Sequence, residues 1–195
     1  MPTRMIITMF VVLSPLTAYA QETAWKRYID AGQKATWQDR DEAEKPLLRA
    51  LKEAENFGEQ DPRLAKSLQA LATLYRLEDK HQEAVLLLQR AVAITEKGLG
   101  PEHHTLAAYL NDLAFTNTHQ DKYAEAEPLY LRALTIWEKA GRPEEDIHLA
   151  ISLHNYAVLL QKMDRNAEAE KLEERSKAIW DNQQWGRTTA RSLSC

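Results

Sequence analysis

The 195-residue sequence reads as all-α, a solenoid of about four antiparallel helix pairs stacked in series. Three observations support this. Apolar residues recur at i, i+3, i+4 and i+7, the period of one helix face, and no β-branched alternating run of useful length occurs. Leu71-Ala72 returns as Leu113-Ala114 and as Tyr156-Ala157, Ala84 as Ala126 and Ala169, and Ile94 as Ile136 and Ile179, at offsets of 42 and 43 residues. Ala72 with Ala84, Ala114 with Ala126 and Ala157 with Ala169 are each 12 apart, one alanine per helix of a pair. Short side chains at those places let two helices approach to about 8–10 Å. One pair alone cannot bury its apolar face, whereas stacked pairs bury it in series.

The first 20 residues are expected to lie outside this fold. Arg4 supplies a positive start, Met5–Leu13 an apolar run and Ala18-Tyr19-Ala20 a small-x-small cleavage site, the pattern of a secretory signal. The apolar run is about half the ~20 residues a membrane-spanning helix needs, and no later stretch is apolar enough. The mature chain is therefore expected to be exported, to a bacterial periplasm or beyond, without membrane insertion. No Cys near the cleavage point offers a thiol for a lipid. Formal net charge is −4 with both signs mixed along the chain, which argues against a nucleic-acid or anionic-membrane footprint. The single cysteine, Cys195, cannot form an internal bridge and is a candidate for an intermolecular disulfide.

Taken in order, Gln21–Lys34 reads as a helix with Trp25, Tyr28, Ile29 and Ala31 near one face, and an upstream copy fits an offset of 41 through Ala31, Ala43 and Ala50. Asp39–Phe57 follows, stopped by Gly58 and Pro62. Arg63–Leu77 carries Leu64, Leu68, Leu71, Ala72 and Tyr75; its partner carries Ala84, Leu87, Leu88, Ala91 and Val92 before Gly98, Gly100 and Pro101. The grammar repeats through Leu106–Ala114 with Ala126–Trp137, and through Leu149–Leu160 with Ala169–Trp180. Repeats are thus expected over about 25–60, 61–102, 103–145 and 146–180, with a flexible tail at 181–195. Pro46 and Pro128 sit just inside helix starts, where a slight bend is expected.

These residues resemble the tetratricopeptide repeat family, in the longer form of about 42 residues found in kinesin light chains. Asp121-Lys122-Tyr123-Ala124-Glu125-Ala126-Glu127-Pro128-Leu129-Tyr130, Leu99-Gly100-Pro101-Glu102-His103 and Leu110-Asn111-Asp112-Leu113-Ala114 carry the likeness, which extends over Trp25–Trp180. The resemblance implies a right-handed superhelix whose concave face is lined by the first helix of each pair. Departures are instructive. Asn117 replaces the bulky Tyr75 of the preceding repeat, so looser packing is expected there. Glu173 and Ser176, and Asp30 and Lys34, fall in core columns of the last and first units, as suits terminal caps.

One step on from the core stripe, about 100° round each helix, lie the residues expected to face the groove. These are Tyr28; Gln69, Thr73 and Arg76; Asn111, Phe115 and Thr118; and His154, Val158 and Gln161. Amides can pair with an extended peptide backbone, and apolar positions can take its side chains. By the resemblance, some tetratricopeptide domains grip a C-terminal carboxylate with a Lys and an Asn one turn on. The matching pairs here are Tyr28/Gly32, Gln69/Thr73, Asn111/Phe115 and His154/Val158, so that clamp is missing. No His-x-x-x-His spacing presents two imidazoles on one helix face, and no elbow or Gly-rich loop surrounds Ser67 or Ser152, so no metal, cofactor or catalytic residue is expected. The expectation is a non-enzymatic scaffold for a protein or peptide partner, of undetermined oligomeric state. The rival is a self-associating envelope subunit that uses its convex face or Cys195.

Overall fold

A computed structural model describes residues 15–141 and 146–192, with side chains over 19–141 and 147–182. Its elements are α1 (Pro15–Gln38), a 3-10 turn (Arg40–Glu42), α2 (Glu44–Glu55), α3 (Pro62–Leu77), α4 (His81–Leu99), α5 (His104–His119), α6 (Tyr123–Ala140), α7 (Asp146–Lys162) and α8 (Asn166–Ser192). Consecutive helices pack as antiparallel neighbours, α1 with α2 through to α7 with α8, and each pair stacks on the next. No strand occurs among the described residues. The paired alanines stand where the fold needs them: Ala72, Ala84, Ala114, Ala126, Ala157 and Ala169 are all buried.

The turn inside three of the four pairs is set by one aspartate. Asp79, Asp121 and Asp164, 42 and 43 residues apart, adopt the left-handed backbone with φ of 60°, 57° and 60°. Aspartate tolerates this region better than most residues. Each closes its helix in the same way. Lys80 N–H bonds Tyr75 O at 2.8 Å and Asp79 N–H bonds Arg76 O at 3.2 Å; the contacts recur as Lys122 to Asn117 and Asp121 to Thr118, and as Arg165 to Leu160 and Asp164 to Gln161. This double bond pattern satisfies carbonyls the helix end leaves open. Entry to the first helices is capped too: Asp61 accepts from Arg63 N–H, and the His103 ring from Thr105 N–H.

The first pair departs from this plan. A 3-10 turn takes the place of the left-handed aspartate, and five residues, 39–43, join the helices where each of the other pairs uses three. Ala43 and Ala50 keep the expected register, but Gly32, not Ala31, fills the close approach; Ala31 is exposed. A Cβ built on Gly32 would lie 2.5 Å from Leu47 Cδ2 and 3.2 Å from Leu47 N. Asp30 and Lys34 consequently face solvent instead of occupying core columns.

Between repeats, Tyr75 Oη donates to Glu44 at 2.8 Å and Tyr156 Oη to Glu127 at 2.7 Å. At the interface between them Val85 stands for the acid, with Asn117 at the repeat position of Tyr75 and Leu113 at that of Tyr156, so both partners of the pair are missing together. Asn117 is nonetheless buried, its carbonyl receiving Gln120 and Lys122 N–H. In the last unit Ser176 Oγ donates to Ala150 O at 2.8 Å and Glu173 stays partly exposed, the wetted end of the stack. Beyond Asp181, α8 continues to Ser192. Cys195 lies outside the described residues.

Candidate partner-binding groove

Consecutive first helices touch directly (α1 with α3, α5 with α7), while among the described residues consecutive second helices make no comparable contact. The stack therefore bends with the first helices inside, and the groove columns can be placed. They divide into two sectors. Thr73, Phe115 and Val158, each half-buried, remain on the inner face. Gln69, Arg76 and Asn111 are turned towards the neighbouring repeat: Gln69 Nε2 donates to Asp112 Oδ2 at 2.8 Å, Arg76 lies 4.7 Å from the Phe115 ring centre, and Asn155 Nδ2 donates to Asn111 Oδ1 at 3.3 Å.

Three expectations need correction. Thr118 is sealed inside, its hydroxyl donating to Ala114 O at 2.9 Å, and cannot meet a partner. Asn111 is 8% exposed and spends its amide oxygen on Asn155. Tyr28 packs against the core with Arg27 and Arg49 over its ring, which turns it to α2 and away from the groove. His154 and Gln161 point to the open end of the stack, where no further repeat covers them; the His154 ring meets Glu173 at 2.9 Å.

What replaces Tyr28 is a pocket of about 430 Å³ between α1 and α3, lined by Gln33, Lys34, Thr36, Trp37, Gln69, Ala70 and Thr73. Trp37 is 72% exposed at its rim. Two turns further along the groove Phe115 carries Arg76 and the ring of His119, the latter at 4.1 Å. Aromatic, amide, hydroxyl and cationic groups thus follow one another along one concave wall. Lys34 and Trp37 escaped sequence reasoning because their helix was read one residue out of register. Among the described residues no group of three or more His, Cys, Asp or Glu is arranged to hold a metal.

The model of the tetratricopeptide repeat matches residues 35–97, 87–139 and 104–182, most of the chain. The chain belongs to the tetratricopeptide repeat family. Its fold is similar to that of BtubC (BKLC) from P. vanneervenii, with a TM-score of 0.74 at 20% identity over 84% of this chain; the chain spans only 66% of that protein. It is also similar to two structures of a putative kinesin light chain from Podospora anserina built of nearly identical TPR-like repeats. Both have a TM-score of 0.52 at 23% identity, covering 86% and 88% of this chain and 96% and 98% of those chains. No curated protein matches at the same significance. Tetratricopeptide repeat proteins are in general non-enzymatic scaffolds for protein–protein interaction.

Proposed function

We propose that this tetratricopeptide protein is an exported, non-enzymatic scaffold that holds a segment of another protein, extended or helical, along its concave face. The segment runs from the Trp37 pocket, past Thr73 and the Phe115–Arg76 stack, to Val158. The observation that carries the reading is Trp37, an indole 72% exposed at the rim of a concave pocket. Exposed large aromatics beside convergent polar groups are where partners anchor. Export rests on the signal pattern of residues 1–20, with cleavage after Ala20 leaving Trp25 and Ile29 in the core; no described helix is long and apolar enough to cross a membrane.

The test is capture of envelope proteins on the immobilised mature chain. Trp37→Ala and Phe115→Ala are each expected to weaken retention of the same partner by about tenfold, as anchor truncations of ~1.4 kcal/mol or more do. Helical circular dichroism should not change. Undiminished capture by both variants would overturn the groove. Leu48, Leu86 and Leu131, 45%, 67% and 48% exposed on second helices, favour a second reading, self-association through the convex face. That reading requires dimers at high concentration that Leu86→Glu with Leu131→Glu dissolves.

A further inference from the structure

Among the described residues Asp112 stands between first helices without an ion pair, its carboxylate held by Gln69 alone. It stands on α5 at the repeat position of Ala70, which lines the pocket, and of Asn155, which bonds Asn111. Gln69 Nε2 meets its Oδ2 at 2.8 Å. Among the described residues no donor reaches Oδ1 and no cation forms an ion pair with the carboxylate. Arg76 and His148 act on it only at longer range, and Arg76 keeps its guanidinium on Phe115. Burial is the largest influence on Asp112 and pushes its carboxyl up; the Gln69 bond opposes this.

A carboxylate in such a place costs free energy unless a positive partner arrives. Register does not require it. An amide at 112 would still accept the Gln69 bond, and the neighbouring repeat makes its own link with Asn155 and Asn111, two amides.

We infer that Asp112 Oδ1 receives the cationic side chain, lysine or arginine, of the segment held in the groove, so that a basic residue is part of what this protein recognises. This rests on the groove reading above and adds the chemistry of one contact to it. A partly buried carboxylate with one oxygen held by Gln69 and the other open is pre-oriented for such a donor, and charged hydrogen bonds made there are stronger than in bulk water. Neutral or acidic residues at that point of the segment would leave the carboxylate without a partner or repel it.

The experiment titrates the mature chain with four fluorescent pools of N-acetylated, C-amidated 12-residue peptides. The pools are identical except for a fixed central residue: Lys, Arg, norleucine or Glu. The wild type should bind the Lys and Arg pools about 5- to 10-fold more tightly than the norleucine pool, with the Glu pool weakest. Asp112→Asn should bind all the uncharged and basic pools alike, and Asp112→Ser repeats the test without the amide. Thr73→Arg, which fills the groove, should abolish binding of every pool. Equal binding of Lys and norleucine pools by the wild type, or a basic preference that survives in both Asp112 variants, overturns the role of Asp112 while Thr73→Arg still certifies the groove. Failure of every pool to bind, or binding indifferent to Thr73→Arg, overturns the groove and this inference together.

Discussion

Asp112 has a consequence for stability as well as recognition. Its carboxyl is raised in the folded chain, chiefly by burial, so folding favours the protonated form. That contribution is fully present below the unfolded carboxylate pKa and is lost as pH rises through the folded value. Asp112→Asn is therefore expected to melt higher than the wild type at pH 7, with the gap closing as the medium is acidified. Each ~1 kcal/mol of relief corresponds to about 2–4 °C at this chain length. Melting curves at pH 7 and pH 4 that show the same difference would contradict the assignment. Gly32 offers a second residue-level test. Replacement by Ala adds helix propensity of about 1 kcal/mol. The new methyl must displace Leu47, both its Cγ at 2.6 Å and its backbone N at 3.2 Å. Overpacking of about 1–3 kcal/mol wins, so Gly32→Ala should unfold at lower urea; a stabilised variant would mean α1 and α2 are less close. Neither residue stood out in the sequence. Asp112 enters the sequence reading only within Leu110-Asn111-Asp112-Leu113-Ala114, and its lack of an ion pair emerges only once Gln69 and Arg76 are placed. Gly32 was hidden by an alanine one position away.

At the scale of the element, the aspartate turns decide how the pairs close. Asp164 is fully exposed and sits at φ 60° with no side-chain partner among the described residues. Asp164→Gly should leave stability unchanged or raise it by up to ~1 kcal/mol, whereas Asp164→Val should cost about 1–2 kcal/mol, because a β-branched residue resists the left-handed region. Urea midpoints of the two variants are the check; equal midpoints would show that the turn is not left-handed in solution. The same turn explains what could be read in advance. From α3 onward the periodicity places the core residues, with Trp180 near the end of the stack the exception at 39% exposed, because Asp79, Asp121 and Asp164 hold the spacing between helices constant. Backward extrapolation fails in α1, where a 3-10 turn at Arg40–Glu42 replaces the left-handed aspartate and the close approach falls at Gly32 instead of Ala31. A shift of one residue is about 100° of rotation, enough to carry Tyr28 out of the groove. The division of the groove columns was illegible for a different reason. Whether a residue meets a partner or the next helix depends on the angle between repeats, which no single helix encodes. Gln69 and Asn111 were read as hands for a ligand and turn out to clasp neighbouring helices.

Taken as a whole, the molecule is a one-dimensional stack in which each pair touches only its neighbours. Interior pairs are covered on both sides and terminal pairs on one. Amide exchange should accordingly be slowest in α3 to α6 and faster in α1 and α8, with about equal protection of all eight helices arguing for a single cooperative globule instead. Cooperation between pairs leans on few polar contacts. Exposed ion pairs between second helices, Arg132 with Glu96 and Arg175 with Glu138, contribute little, so apolar stacking around Tyr130, Leu134 and Trp137 carries the load. A preformed hollow loses little entropy on capture. That hollow is the centre of the functional account, and site-directed photocrosslinking in the living envelope tests it most directly. A benzophenone amino acid at Thr73 or Val158, on the inner face, should capture one common partner, and the same probe at Leu131, on the outer face, should not. Capture from Leu131 alone, with Thr73 and Val158 silent, would contradict the account.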